Sequence, residues 1–403
     1  MPASGYRSAL RSPTVRRLWI AAVTSTVGDY VGLGALLFLA ADRTGVAVGA
    51  AGVLAVGVIP SLLTGVVAGP WLDRFNRTRT LSALQLIGAA VICLPVVIEG
   101  SVVVFVTAGL LACVRIATVA VRSGAMAEGI DDAHRGPLVA LLSSTDQGSQ
   151  VAGYLTGGAL YVLVGAESAL LLDAASFVVA AVILARLGLP EPEHREERRP
   201  VGAGIADIRR DPVLRPLAAL VLVTGLVASL PEVLAPTVAG PDDPLRPVVL
   251  AAAPAGQVIA MTLLGRTRQM RRPRIQLLHL TLLGVILLLA ALAGTPAAVA
   301  VVNLLIGAGT AWIIGPQITF LHRAPSLRMG QITGTMVAGL AVAEGVGSLS
   351  LAALADVAGT PTAYAAGGGV ILLAALVGWT VRSRTAELTA LDQPPDLAGD
   401  HGI

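Results

Sequence analysis

Twelve stretches of about twenty apolar residues, separated by polar connections, leave this chain few folds to choose from. They lie near 18–41, 46–70, 80–98, 101–121, 138–164, 167–187, 213–238, 246–265, 275–293, 296–321, 331–355 and 361–381. Each is long enough to carry an α-helix across a hydrocarbon core about 30 Å thick. A soluble interior is excluded by size, because a single core stops growing near roughly 250–300 residues. Here 55% of 403 residues are hydrophobic and only 13% are charged. Strict apolar/polar alternation, the mark of an outer-membrane strand, is missing, so the spans are predicted to be helices. The run after Arg16 and Arg17 is too long for a cleaved leader and opens the series. The seventh span, interrupted by Pro231 and Pro236, is the least regular.

All 28 basic residues are arginine, which points to a GC-rich bacterial genome, because arginine codons are GC-rich and lysine codons are not. All but three fall at the termini or in alternate connections. Arg43 and Arg246 occupy the other set, and Arg115 lies within a span. Positive residues collect on the cytoplasmic side, so both termini are predicted there, in a bacterial plasma membrane. The basic balance then faces the cytoplasm and implies no nucleic-acid partner. The longest polar stretch, LPEPEHREERRPVGAGIADIRRDP over Leu189–Pro212, divides six spans from six. The expected organisation is a bundle over 1–188, a linker over 189–212 that ends in a short interfacial helix, a second bundle over 213–382 and a tail over 383–403. SPTVRRL at Ser12–Leu18 is echoed by DPVLRPL at Asp211–Leu217. Both read as helix starts, with Ser or Asp as N-cap and Pro in the first turn. Internal symmetry of this kind suits a secondary transporter with its site between two halves.

Between the second and third spans lies GPWLDRFNRTRTL, Gly69–Leu81. Read locally, it is a short basic inner loop in which Asp73 pairs with arginine or with the positive end of a helix. It also resembles the loop signature of the major facilitator superfamily, Gly-x-Leu-Ala-Asp-Arg-x-Gly-Arg-Arg/Lys. Gly69, Asp73, Arg74 and Arg77 match, while Trp71, Asn76 and Thr78 depart. Asn76 replaces a Gly, and Asn tolerates left-handed backbone. The resemblance implies that Asp73 and the arginines lock and release a cytoplasmic gate. It extends along the chain and is nearest to the drug-exporting branch that includes macrolide-efflux-like and enterobactin-exporter-like proteins. RRLWIAAVTSTVGDYV, IPSLLTGVVAGPWLDR, RGPLVALLSSTDQGSQVAG, LLDAASFVVAAV and IADIRRDPVLRPL carry it. GYLTGG at Gly153–Gly158 is similar to the Gly-Pro-x-x-Gly-Gly of the family's antiporters, with Tyr154 in place of Pro. Gly153, Gly157 and Gly158 also fit simple close helix packing. The second-half counterpart of the gate loop, GRTRQMRRPR at Gly265–Arg274, has no Asp.

An ionisable group at membrane depth costs about 2.5–3.5 kcal/mol on insertion scales. Asp29 sits about eleven residues into the first span, ~16 Å along a helix axis, and is a candidate for proton coupling or substrate contact. It also fits a plain interhelical hydrogen bond. Arg115 could pair with it or snorkel to water. The resemblance implies a cavity lined by the first, fourth, seventh and tenth helices, with an arginine near this level of the fourth. Asp146 and Glu344 are acids at related depths: the spacing between Ser12 and Asp211 carries Asp146 to within one residue of Glu344. They suit proton handling or helix capping. Asp173 and Glu232 read as interfacial. Trp312 is expected near the cavity. His279 and His322 are too isolated to hold a metal, no phosphate-binding glycine loop with Lys is present, and neither cofactor nor enzyme chemistry is expected. The reading is a monomeric all-α membrane protein, twelve transmembrane helices in two pseudo-symmetric bundles, that exports a small amphipathic compound (drug, antibiotic or siderophore-like) in exchange for protons. An importer or facilitator of the same fold, and a non-transporting sensor or scaffold, are the alternatives.

Overall fold

The computed structural model describes residues 10–63, 75–130, 132–187, 203–264, 273–313, 316 and 329–391. Among these residues all regular structure is helical. The helices are α1 (Pro13–Thr44), α2 (Ala47–Val56), α3 (Val58–Leu63), α4 (Arg77–Ile92), α5 (Leu94–Val97), α6 (Ser101–Gly129), α7 (Asp132–Val164), α8 (Ala166–Ala185), α9 (Ala203–Arg210), α10 (Leu214–Ala228), α11 (Leu230–Val238), α12 (Arg246–Leu264), α13 (Pro273–Ala290), α14 (Pro296–Thr310), α15 (Met329–Ala358) and α16 (Thr360–Leu391). A single 3₁₀ turn, Ala311–Ile313, follows α14.

Local chemistry sets the boundaries. Pro13 opens α1, where its missing N–H costs nothing, and Gly45 ends it at φ 72°, with its N–H donating to Ala41 O at 2.7 Å. Ser12 stands at the N-cap without a side-chain capping bond. At the echoed site, Asp211 Oδ1 accepts the N–H groups of Val213 and Leu214 at 2.8 and 3.0 Å. The second start departs from the expected one: Val213 is the N-cap of α10, so Pro212 precedes the helix, and Asp211 supplies its two bonds from further upstream. The seventh predicted span is two helices, with α11 restarting after Ser229 and Pro231 in its first turn.

Nine spans among the described residues are long and apolar enough to cross a membrane. Two further predicted spans enter only in part, as the apolar helices Ala47–Pro60 and Arg274–Ala290, because each adjoins residues outside the described set. The fifth, within α7, carries Asp146, Gln147 and Gln150, which dilute its apolar character.

Helix α8 illustrates how the spans sort their faces. Leu170, Asp173, Ala174, Phe177, Ala181 and Leu184 are buried, while Leu171, Val178 and Val182 are exposed. The buried positions recur every three to four residues, with Asp173 and Ala174 sharing one turn, and the exposed ones at seven and four, as a helix of 3.6 residues per turn requires. An exposed aliphatic stripe suits lipid, which is as apolar as the side chains themselves.

Helix α1 packs on α7 and α8, α4 on α8 and α6, and α2 on α6. Further along the chain α12 packs on α14, α13 on α16, and α10 on α15. Two long crossings, α7 on α12 and α2 on α15, join helices before residue 188 to helices after 202. Short connections force antiparallel neighbours, and they gather at one end of the bundle, called here the short-turn end. Gly165 alone links α7 to α8 and Gly359 alone links α15 to α16, at φ 108° and 87°. Side chains other than glycine rarely adopt such angles.

Candidate functional site

Midway along the spans, charged side chains from four helices face one another. Arg115 on α6 lies in electrostatic reach of Asp29 on α1, Asp146 on α7 and Glu344 on α15. Arg122, also on α6, acts on Asp29 and Asp146. Arg115 and Arg122 are seven residues apart, two helical turns, and so share a face. Arg115 and Asp146 are exposed, whereas Asp29, Arg122 and Glu344 are half-buried. Among the described residues no direct ion pair joins these five groups; they act on each other through space. In low dielectric such interactions stay strong over several ångströms.

Arg122 was expected in a polar connection, because the apolar run fades near residue 121. Helix α6 instead continues to Gly129, which carries Arg122 into the bundle. The heptad spacing from Arg115 was the available signal.

Two acids expected at the membrane boundary lie inside. Asp173 is 1% exposed and packs against α1, where a Cβ on Gly28 would come within 2.7 Å of its Oδ1 and one on Gly32 would collide with Oδ2. Ser176 Oγ donates to Asp173 Oδ1 at 3.3 Å, and Asp29 is an electrostatic neighbour. Gly32 therefore makes room for the Asp173 carboxyl group, and Gly28 for the Ser176 side chain first and that carboxyl second, rather than for a helix backbone. Glu232, on α11, accepts hydrogen bonds from Gln150 Nε2 at 3.0 Å and Tyr154 Oη at 2.9 Å. Tyr154 is completely buried, with its ring edge-on to Tyr30 at 5.5 Å. The residue that departs from the antiporter pattern thus reaches across to the second group of helices.

The glycines of GYLTGG sit at close backbone crossings. A Cβ on Gly153 would meet Val27 O at 2.8 Å, one on Gly157 would lie 2.7 Å from Val31 Cα, and one on Gly158 would lie 3.0 Å from Pro247 Cα. Gly153 and Gly157 bring α7 onto α1, and Gly158 brings it onto α12. Trp312, expected near a cavity, is 1% exposed; its 3₁₀ turn packs among α12, α13 and α14. Of the gate loop, Gly69, Asp73 and Arg74 lie outside the described residues. Arg77 begins α4 and is 4% exposed. Asn76 does not use left-handed backbone: at φ −57° it caps α4, its side chain accepting the N–H of Arg79 at 3.1 Å.

The short-turn end is tied by charge as well. Asp356 on α15 accepts the N–H groups of Ala47 and Val48 at 2.7 and 3.0 Å, placing a carboxylate at the positive end of α2. Arg246, 0% exposed, donates to both oxygens of Asp42 at 2.5 and 3.0 Å.

No curated protein matches the chain in sequence. Solved structures share its fold at low identity. The nucleoside transporter NupG is 12% identical with a TM-score of 0.69, covering 91% of this chain and 98% of its own. The human organic anion transporter MFSD10 (TETRAN) is 14% identical with a TM-score of 0.64, covering 90% and 99%. A bacterial homolog of the human lysosomal transporter Spinster, inward-facing and unoccupied, is 14% identical with a TM-score of 0.65, covering 93% and 98%. The model of the Major Facilitator Superfamily matches residues 18–326, and with a multi-pass helical bundle and charged groups facing each other inside it, the chain belongs to that superfamily and is a membrane transporter rather than an enzyme.

Proposed function

We propose that this transporter exports a small amphipathic compound in exchange for protons, by alternating access in a bacterial plasma membrane with both termini cytoplasmic. Residues 1–188 and 213–382 form two six-helix halves joined by the linker over 189–212, and together supply twelve transmembrane helices. The halves rock about the midplane so that a shared site opens to one side at a time. The observation that carries this reading is Arg115 facing Asp29, Asp146 and Glu344 from three other helices. A carboxyl group in such a place can exchange a proton for the neighbouring guanidinium or for a polar substrate group. The seam at the short-turn end is closed by Asp42–Arg246, while Arg115 and Asp146 are exposed; with cytoplasmic termini this is an inward-open arrangement. Asp73, Arg74 and Arg77 would then close the opposite side.

The test uses inverted vesicles with an acid interior and ethidium as a fluorescent amphipathic cation. Proton-driven uptake by the wild type, lost in Asp29→Asn and in Arg115→Ala, is the expected result. Uptake that is equal in all three, or that ignores the proton gradient, overturns coupling through this group and leaves a facilitator.

A further inference from the structure

Arg246 and Asp42 each sit at the unfavourable end of their own helix. Arg246 opens α12, where the helix dipole is positive, and Asp42 lies in the last turn of α1, where it is negative. Neither charge is relieved by its own helix, so each depends on the other, which belongs to the other group of helices. Around the pair, Tyr161 Oη on α7 donates to Asp42 Oδ2 at 2.7 Å, and Arg246 Nη2 also reaches Pro236 O at 3.4 Å. The guanidinium lies 4.3 Å from the Phe38 ring centre and 5.6 Å from that of Tyr161, within range of cation–π attraction. Its Nε is buried without a partner. The contact is bidentate and well shaped, and one donor is left unmet.

One stripe of α7 makes this seam. Gln150, Tyr154, Gly158 and Tyr161 follow at spacings of four, four and three, and so lie on one face. They meet Glu232, Glu232 again, Pro247 and Asp42 in turn.

We propose that the Asp42–Arg246 pair, steadied by Tyr161 and Phe38, is the gate of the short-turn end, closed in this conformation and broken once in each transport cycle. The inference rests on the alternating-access reading above and adds the latch of the opposite mouth. A pair made of two charges that their own helices disfavour holds only while the two helix groups touch, which is what a reversible latch requires.

Spin-label distances in the full-length protein test it without a ligand. After Cys93→Ser and Cys113→Ser, one label pair is placed at Val164 and Val357, both exposed at the short-turn end, and another at Arg79 and Arg274, both exposed at the opposite end. Asp42→Asn is expected to raise the long-distance fraction at the first pair about tenfold, with shortening at the second. Tyr161→Phe, a milder change, shifts both in the same direction. The swap Asp42→Arg with Arg246→Asp returns the distribution to wild type or beyond, because each charge then suits its helix end. Unchanged distributions in both Asp42→Asn and Tyr161→Phe overturn the latch. Widening of the short-turn mouth with no shortening at the other end keeps the latch and overturns the rocking of the halves.

Discussion

The seam along α7 and the charged middle of the bundle use the same kinds of residue in opposite ways. In the seam both acids meet donors at contact distance: Asp42 meets Arg246 and Tyr161, and Glu232 meets Gln150 and Tyr154. In the middle, Asp29, Asp146 and Glu344 face Arg115 without a direct bond. Saturated charges hold a shape, whereas charges that act through space remain free to take a ligand or a proton. Position along the helix separates these roles better than residue type.

Substitutions can break or sharpen that contrast. The largest effect on stability is expected from Asp42→Ala, which leaves Arg246 buried without its counter-charge, a loss of about 3–5 kcal/mol. Thermal unfolding in detergent measures it, and a shift below ~1 kcal/mol would mean the seam is not held by this pair. Gly157→Ala should follow, at about 1–3 kcal/mol, because overpacking pushes α7 from α1; the same melting experiment reads it. Tyr154→Phe removes one donor from Glu232 and should cost about 0.5–1.5 kcal/mol with little loss of expression. Arg115→Ala should change stability least, within about 0.5 kcal/mol, while lowering ethidium transport by about tenfold. A large melting shift in Arg115→Ala would erase the distinction between the two regions.

Much of the architecture could be read from the chain. Run lengths located most of the spans, Pro13 marked the start of the first helix, and Pro231 marked the broken seventh. The GYLTGG glycines announced close crossings, although the sequence could not say that two of them meet α1 and the third α12. The polar pairings were the least visible. Asp42 and Arg246 are separated by 204 positions and look like two ordinary residues near membrane edges. Asp173 and Glu232 were read as boundary acids because depth along a span was the only coordinate available, and depth does not tell which way a side chain points. Asn76 was read through backbone conformation when its side chain was the operative part. Periodicity encodes one helix; the matching of faces between helices is written only in the fold.

The lone glycine between α7 and α8 has a mechanical consequence. Gly165 donates its N–H to Tyr161 O at 3.1 Å, and its own carbonyl accepts from Ser168, so this elbow contains no slack. One arm of the hairpin carries Tyr161 against Asp42, and the other carries Asp173 against α1 beside Asp29. A displacement at the rim is thereby delivered to the interior as a lever stroke, and two or three residues inserted at Gly165 would let one arm swing while the other stays still.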